Sequence, residues 1–548
     1  MLEVITNIQK VPHLKYRFLT AALNIDGYRA DSPIIVRKDG KSYIVSRHLD
    51  RGNMEEYKKL GLLPDHSEPV YFKPYFAFVP ITPPAHETLL DAFEYISGDD
   101  REMQVQSDIP LQLYETLADK YSLSMEEDVH LLLKYLYKLD RNTVTERFAE
   151  GREQAVEIAN DLIKNSRDRA ELYELLDKTE DDRFQVLDAM MEAAGVDWML
   201  FTSCLGVQEV TGFGMGGFID DHAAALYKKG SDAVYFLSAE VHDNFGLEKV
   251  IDDPAKFIAG LIADAAVGIE ELHFSYGWYK ALGMKEKNWR KQQDLARNFR
   301  LYSGAFNLPY YIIVARAGTY SIETAIAWAK EAVLKGTPPT EKEVGLRQDR
   351  LVKEFAAAHK IPFSISKYWT GLHASDRSVT PSYAFEHRIS KKSKALKMDA
   401  GLLLKDNNGI LRAASDIART ISFEECGDIF YGIADKVMLE MVEYARPGIT
   451  GEEIFTATMA GLEDFRETLA PLGMLPPETV SDVFKRDVGH GLSLHEPGTF
   501  WFEKGADMKT KAGMVCAHEI QWSARGFSIG AEDNFIIGKN KGLNLCRD

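Results

Sequence analysis

Two short turns near the C-terminus restrict the fold of this chain more than any other feature, because a pair of acidic residues flanks each of them. The first turn has the sequence DNNG at residues 406–409, which tolerates positive φ and favours a hairpin. If its two asparagines form a two-residue loop, Asp399 lies directly opposite Asp416, on the same face and about 4.5–5.5 Å away at Cβ. Two carboxylates this close repel each other unless a cation lies between them.

The second turn repeats this arrangement. Glu519 and Glu532 are 13 positions apart, and a tight turn at Arg525 and Gly526 would set them opposite each other. Carboxylates of this kind are the ligands that divalent cations prefer, and paired carboxylates can bridge two ions. His490 lies between two glycines, and a neutral imidazole favours Mn, Fe, Co or Zn over Mg or Ca. These five residues together predict a metal site.

The rest of the chain predicts at least one further domain. At 548 residues the chain is too long for one hydrophobic core, so we expect two or three domains. We place them at residues 1–180, 181–317 and 318–548.

Local patterns give each expected domain its elements. In the first, Asp39 and Gly40 mark a hairpin, and helical periods begin near residue 109. They include 129–139 and the charged segment 150–178, which is typical of long exposed helices. The second has a helix and a buried strand within 184–203, then a hairpin at 225–238.

This shared order of parts suggests an internal duplication of the first two units. The glycine cluster GFGMGG at 212–217 lacks the strand, helix and acidic residue of a dinucleotide site, so we do not expect such a site there.

The last expected domain has internal symmetry of its own. A helix ends at Gly336 and Thr340 can cap the next one, while a later helix ends at Arg446-Pro447-Gly448 and Thr450 opens another. Two helix pairs with similar endings indicate pseudo-symmetry within this domain.

Composition excludes several classes of partner and setting. The net charge of −18 argues against nucleic acid, and no stretch approaches the ~20 apolar residues that span a bilayer. The N-terminal segment does not have the pattern of a signal peptide. Four scattered cysteines indicate reduced thiols, so we expect a cytoplasmic protein.

Several segments resemble the pita-bread enzymes, the family of creatinase, prolidase, aminopeptidase P and methionine aminopeptidase (peptidase family M24). The similar segments are MDAG at 398–401, SDIART at 415–420, GHGL at 489–492, HEP at 495–497, GMV at 513–515 leading to Glu519, and EDN at 532–534.

The resemblance implies a mixed α/β (α+β) fold, in which a C-terminal pita-bread domain follows one or two creatinase-type N-terminal α/β domains. It covers residues 318–548, and the segment 195–213 resembles the family's N-terminal domain.

Three departures from the family pattern concern the site. The two aspartates are 17 positions apart, so the hairpin between them is longer than usual by six residues. His490 and His495 are closer together than the usual pair of histidines, which leaves the role of His495 open. Ile520 replaces the proline that commonly follows the first glutamate, so the loop that shapes the substrate pocket would differ from that of a prolidase.

The resemblance also implies a role for each site residue. Asp399 would chelate one of two divalent ions, Asp416 and Glu532 would bridge both, and His490 and Glu519 would complete the second. Water activated by the ions would be the nucleophile, with Glu519 as general base and His495 stabilising the tetrahedral intermediate. An upstream histidine, His387 or His373, would help to bind substrate. We expect the ions to be Mn²⁺, with Fe²⁺, Co²⁺ or Zn²⁺ as alternatives.

Three functions are compatible with these residues. The first is a two-metal hydrolase that cuts an amide or peptide bond at Xaa-Pro in small peptides, as a homodimer. The second is a lyase or C–N hydrolase acting on a small molecule, which the altered histidine spacing and Ile520 favour. The third, a binding module without catalysis, is the least favoured because the chain keeps all five ligands. Fold alone does not choose among them.

Overall fold

The computed structural model describes most of the chain and contains four β-sheets. The described residues are 2–6, 34–63, 66–73, 85–125, 131–177, 180–214, 223–242, 245–374, 384–475, 477–484, 487–493, 496–525 and 527–548. Two sheets lie in the N-terminal part of the chain and two in the C-terminal part. The mixed α/β class expected from the sequence is therefore confirmed.

The first domain is built on a mixed six-stranded sheet. Its elements are β1 (Leu2–Ile5), β2 (Ile34–Lys38), β3 (Lys41–Arg47), α1 (Arg51–Lys59), β4 (Ser67–Phe72), α2 (Leu89–Ser97), β5 (Glu102–Val105), α3 (Leu111–Ala118) and β6 (Ser122–Met125). The strand order is β4-β3-β2-β1-β5-β6. Asp39 and Gly40 have φ of 49° and 77°, and Lys38 pairs with Lys41, so the hairpin expected at this turn is confirmed.

The second domain is built on a seven-stranded sheet in the order β11-β7-β10-β9-β8-β12-β13. Its strands are β7 (Tyr135–Asp140), β8 (Trp198–Phe201), β9 (Ala223–Lys228), β10 (Ala233–Ser238), β11 (Leu247–Val250), β12 (Val267–Ile269) and β13 (Trp289–Lys291). Its helices are α4 (Arg141–Ala149), α5 (Arg152–Leu162), α6 (Arg169–Leu176), α7 (Arg183–Ala194), α8 (Cys204–Thr211), α9 (Pro254–Ile262), α10 (Tyr276–Ala281) and α11 (Gln293–Tyr302).

Five strands of these two sheets have the same topology. The runs β3-β2-β1-β5-β6 and β10-β9-β8-β12-β13 each contain two antiparallel pairs followed by two parallel pairs. Both runs also enter the sheet in the same chain order. This agreement supports the internal duplication that the sequence suggested.

Two expectations for the N-terminal half were wrong. The segment 129–139 was expected to be helical, but its described part ends in strand β7, which pairs with β10. Its apolar run LLLKYLYKL is short, and periodicity alone does not separate a buried strand from a helix at that length. The charged segment 150–178 forms helices α5 and α6, but their apolar faces are packed in the core of the C-terminal domain rather than exposed.

The domain boundaries remain a proposal, which these elements refine. Strand β7 lies ahead of the expected boundary at residue 180, yet it belongs to the second sheet. We propose the first boundary between residues 125 and 135. The second expected boundary, at 317 and 318, falls within one helix of the C-terminal domain, which starts at Leu308.

The C-terminal domain contains two antiparallel sheets, β14-β15-β16 and β18-β17-β19-β20-β21. Its strands are β14 (Ser364–Ala374), β15 (Ala395–Lys405), β16 (Leu411–Ser422), β17 (Gly489–Ser493), β18 (Glu496–Trp501), β19 (Val515–Ala524), β20 (Phe527–Ile537) and β21 (Gly542–Asn544). Its helices are α12 (Leu308–Leu334), α13 (Glu341–Ala358), α14 (Glu425–Tyr444), α15 (Gly451–Glu463), α16 (Arg466–Leu469) and α17 (Val480–Val483).

The two halves of this domain have similar helix pairs, as the sequence indicated. One apolar core joins α12 and α13 to β14–β16, and a second joins α14 and α15 to β19 and β20. Thr340 and Thr450 each form a capping box at the start of the second helix of a pair. Helix α12 has 18 of its 27 residues buried, which explains why its first ten residues show no amphipathic period. None of the described helices has the length and apolar character needed to cross a membrane.

The hairpin between β15 and β16 is held by the second domain. The side-chain amide of Gln208 donates to the carbonyl of Leu411 at 3.0 Å and accepts from the Leu411 amide at 2.9 Å. Asn408 donates to Glu150 at 2.9 Å. Gly214 approaches the turn so closely that a Cβ atom on it would lie 2.5 Å from the carbonyl carbon of Gly409. The extra length of this hairpin therefore makes a contact between domains.

Candidate metal centre

The candidate metal ligands lie on strands of both C-terminal sheets, where β16 packs against β20. Asp416 on β16, His490 on β17 and Glu532 on β20 each offer a ligand atom, and these atoms all lie within 4.8 Å of one another. Nε2 of His490 is 3.7 Å from Oδ2 of Asp416. Among the described residues, this is the group of acidic and histidine side chains whose spacing suits a metal ion.

The backbone around His490 fixes its imidazole ring. A Cβ atom at Gly489 would lie 2.3 Å from the carbonyl oxygen of Ala517, so a glycine is required where β17 meets β19. Nδ1 of His490 is 3.1 Å from the carbonyl oxygen of Gly491, which can only accept, so Nδ1 carries a proton. In the neutral ring Nε2 then presents its lone pair toward Asp416. A lone pair and a carboxylate repel each other, and a cation between them removes that repulsion.

The two glutamates are paired as the sequence predicted. Glu519 on β19 lies directly opposite Glu532 on β20. Ala524 pairs with Phe527, which leaves a two-residue turn, and Arg525 in it has φ of 51°. Gly526 lies outside the described residues. The side chains of Glu519 and Glu532 are both buried and share one face of the sheet.

The two aspartates share a face, but the predicted register was wrong. Asp399 lies opposite Ala418, and Asp416 lies opposite Gly401, so the aspartates are diagonal neighbours rather than directly opposed. Diagonal neighbours are about 7–8 Å apart at Cα, which leaves room for an ion between the carboxylates.

The hairpin turn causes this shift of two residues. Asp406 accepts hydrogen bonds from the amides of Asn408 and Ile410, so the loop is longer than two residues. A bulge then leaves Arg412 as an extra residue, because Lys405 pairs with Leu411 while Leu404 pairs with Ala413. A register shift of two residues leaves each side chain on its original face of the sheet. The two aspartates therefore share a face although the predicted register was wrong.

Gly401, the residue opposite Asp416, is a position where a side chain has no space. Tyr368 is the bulged residue of β14, and its ring covers Gly401 so closely that a Cβ there would lie 2.1 Å from a ring carbon. We expect Gly401→Ala to displace the ring or the strand and to lower the free energy of unfolding by about 1–3 kcal/mol. Urea denaturation measures the change.

Gly432→Ala in α14 is the matched control, because a Cβ there meets nothing within 4 Å. Helix propensity predicts that this control stabilises the protein by up to about 1 kcal/mol. Equal effects of the two substitutions would contradict the assigned contact with Tyr368.

Residues behind the ligands hold the two sheets together, and no role for them was expected from the sequence. The Asn534 side chain donates to the carbonyl of Asp416 at 2.7 Å and accepts from its amide at 3.2 Å. Arg419 donates to the carbonyl of Glu532 at 2.7 Å and to Asp533 at 2.6 Å.

Asp533, the carboxylate that Arg419 contacts, is fully buried. Burial raises the pKa of the Asp533 carboxyl, but the guanidinium groups of Arg419 and Arg547 outweigh burial and hold that pKa below its ordinary value. Side chains alternate between the two faces of a strand, and Asp533 directly follows Glu532. The sequence could therefore have indicated that these two carboxylates face opposite sides of β20.

The donor set fits a pair of divalent ions. The five candidate ligands supply four carboxylates and one imidazole, and Asp399, Glu519 and Glu532 are all at most 6% exposed. Buried charges require compensation, and two divalent cations balance four carboxylates. Oxygen and imidazole ligands without a thiolate are typical of Mn, Fe, Co or Zn sites.

The histidines expected to contact substrate are not joined to this cluster by the described contacts. His495 and its neighbour at 494 lie outside the described residues. His387 is partly exposed, and its Nε2 is 3.1 Å from Oε2 of Glu56 in the first domain. His373 lies in β14, where it pairs with Lys397. The assignments of His495 and His387 therefore remain predictions.

Two antiparallel sheets flanked by paired helices, with carboxylates and one imidazole between the sheets, define a pita-bread domain of the metal-binding class. Residues 314–539 match the model of metallopeptidase family M24. The C-terminal domain of this chain is therefore similar to the metallopeptidases of family M24. No curated protein matches the sequence.

Solved structures share the fold at low sequence identity. The X-prolyl aminopeptidase from Caenorhabditis elegans, described as a cytosolic enzyme with a di-nuclear active site, is 12% identical with a TM-score of 0.59, covering 99% of this chain and 86% of its own. The prolidase from Pyrococcus horikoshii OT3 is 21% identical with a TM-score of 0.50, covering 67% and 98%. The Xaa-Pro dipeptidase from Bacillus anthracis is 16% identical with a TM-score of 0.50, covering 67% and 97%.

Proposed function

We propose that this protein is a metal-dependent hydrolase that cleaves the amide bond of small Xaa-Pro peptides, as an aminopeptidase or a dipeptidase. The observation that carries the proposal is the cluster of Asp416, His490 and Glu532, whose ligand atoms lie within 4.8 Å of one another. Asp399 and Glu519 extend this cluster on neighbouring strands. The match of the C-terminal domain to a metallopeptidase family and a fold shared with prolyl peptidases support the choice of substrate.

Each ligand has a proposed role in this reaction. Asp416 and Glu532 would be shared by both ions, Asp399 would bind one, and His490 and Glu519 would bind the other. Bound divalent ions lower the pKa of a coordinated water and polarise a carbonyl group. Glu519 would accept the proton of the attacking water, since its carboxylate lies beside Glu532 within the buried site. His495 would stabilise the tetrahedral intermediate and His387 would contact substrate.

The first domain supports a preference for small substrates. It contacts the C-terminal domain at the segment that follows β14, where Tyr57 packs edge-on against Phe385 and Glu56 pairs with His387. A domain at this position would narrow the entrance to the site. Cleavage of a large unfolded protein would contradict this part of the proposal.

The test is the release of free amino acids from a panel of Xaa-Pro dipeptides and tripeptides by Mn²⁺-loaded protein. We expect turnover that a chelator abolishes and that Glu519→Gln lowers by about 10²–10⁴-fold, the usual worth of a general base. Glu452→Gln, at an exposed position in the same domain, is the matched control and should leave turnover unchanged.

Absence of turnover with metal bound would favour the second candidate, a lyase or C–N hydrolase acting on a small molecule. One observation favours it: Ile520 stands where the family's proline is common, and it is buried in an unbroken strand opposite Ala531. The pocket beside Glu519 would then differ from that of a prolidase.

We further propose that the protein works with Mn²⁺ as a cytoplasmic homodimer. None of the four cysteines forms a disulfide, which agrees with a reducing compartment. Light scattering tests the dimer, and metal analysis of protein purified without added metal tests the ion.

A further inference from the structure

A chain of two hydrogen bonds ends on Asp399. Nζ of Lys397 donates to Oε1 of Gln521 at 2.7 Å, and Nε2 of Gln521 donates to Oδ2 of Asp399 at 2.9 Å. All three side chains are at most 5% exposed. A buried lysine is rare and requires a specific acceptor, and the amide oxygen of Gln521 is such an acceptor.

The ammonium group fixes the direction of the whole chain. Lys397 can only donate, so the oxygen of the Gln521 amide must face it. The NH₂ group of Gln521 is then directed at Asp399, and it can only donate to that carboxylate. The amide therefore fixes the rotation of the Asp399 carboxylate, which is a property that a metal ligand needs.

The residues around Gln521 make this contact possible. Ile520 has an amide proton that proline lacks, so β19 can continue past Glu519 as a paired strand. Gln521 therefore lies in this strand, where its side chain reaches Asp399. Gly530 lies opposite Gln521, and a Cβ atom there would be 2.7 Å from both Oε1 of Gln521 and Cδ of Lys397. The loss of the family's proline and the glycine at 530 thus serve the same contact.

We propose that Lys397 and Gln521 are positioning residues that hold Asp399 as a ligand and set the affinity for the ion that Asp399 binds. This inference rests on the proposed metal centre. It adds that these two residues set the affinity for one of the two ions. Their hydrogen bonds lead to Asp399, which would bind only the first ion, whereas His490 and Glu519 would bind the second. The second ion should therefore bind without regard to them.

Calorimetric titration of the metal-free protein with Mn²⁺ alone tests this inference, without any substrate. We expect the unaltered protein to bind two ions. Gln521→Glu keeps the volume and the acceptor for Lys397 but turns a carboxylate toward Asp399. It should lower the affinity for one ion by about 10–100-fold, the usual effect of losing a group that orients a ligand. The affinity for the other ion should be unchanged.

Two further variants separate the inference from a loss of folding. Gln521→Leu removes the donor without adding charge, and Lys397→Met removes the cation alone. Both variants should lower the affinity for the same single ion. Lys405→Met replaces a lysine at the far end of β15 and should bind both ions normally. Circular dichroism of each metal-free variant reports its fold.

The outcomes distinguish this inference from the proposed function. Two ions bound at unaltered affinity by folded Gln521→Glu and Gln521→Leu would overturn the positioning role, and so would an equal weakening of both ions. Absence of Mn²⁺ binding by the unaltered protein would overturn the metal centre itself, and this inference with it.

Discussion

Replacing Asp416 by asparagine is expected to abolish the binding of both ions and to lower turnover at least about a thousandfold. The Asp416 carboxylate would be shared by both ions, so its loss removes a ligand from each. A thousandfold loss corresponds to about 4 kcal/mol of transition-state stabilisation. The same substitution should stabilise the metal-free protein, because it removes one negative charge from a group in which Asp416, Glu532 and His490 lie within 4.8 Å.

Thermal unfolding with and without Mn²⁺ measures both effects. A saturating ligand stabilises the folded protein by about 2.7 kcal/mol at a hundred times its Kd, so Mn²⁺ should raise the Tm of the unaltered protein. The Tm of Asp416→Asn should start higher and should not respond to Mn²⁺. Asp507→Asn, an exposed position of the same domain, is the control and should respond fully. A normal response of Asp416→Asn would refute the assignment of this ligand.

Replacing Arg412 by methionine is expected to lower the free energy of unfolding by about 3–5 kcal/mol, the usual cost of breaking a buried ion pair from one side. Arg412 is fully buried at the bulge of β16. It donates to Asp406 at 3.0 Å and to Asn307 at 2.9 Å, and its guanidinium lies 4.3 Å from the ring centroid of Tyr310. Its loss leaves the buried carboxylate of Asp406 without its main compensating charge.

Equilibrium denaturation in urea measures this loss, with Arg350→Met at an exposed position as the control. The double variant Arg412→Met and Asp406→Asn should recover part of the stability, because it removes the uncompensated charge as well. A single substitution that costs less than about 1 kcal/mol would show that water or another group compensates Asp406. The register of β15 and β16 would then not depend on this ion pair.

The sequence predicted the glutamate pair better than the aspartate pair, and turn length explains the difference. A two-residue turn leaves one register, so Glu519 and Glu532 met as expected. The turn between the aspartates has more freedom, because Asp406 can accept from two backbone amides and Arg412 can form a β-bulge. The bulge does not follow from local sequence, since two partners of Arg412, Asn307 and Tyr310, lie more than 100 residues away along the chain.

The ligand types were predictable, whereas the groups that orient them were not. Acidic pairs that flank a turn and a glycine-flanked histidine form a distinctive pattern, but Gln521, Lys397 and Asn534 belong to common residue types. Their roles depend on contacts between the two sheets, as when Gln521 of β19 reaches Asp399 of β15. A pattern within one strand contains no information about the strand that will face it.

The spread of the ligands along the chain has a consequence for the order of folding. The five side chains lie between residues 399 and 532 and come from two separate sheets, so no hairpin contains more than two of them. Contacts of such large sequence separation form late, because the loops that they close must lose their entropy first. The ions therefore have no complete site in a partly folded chain. They should slow unfolding rather than accelerate folding, and metal uptake would be the last step in the maturation of this protein.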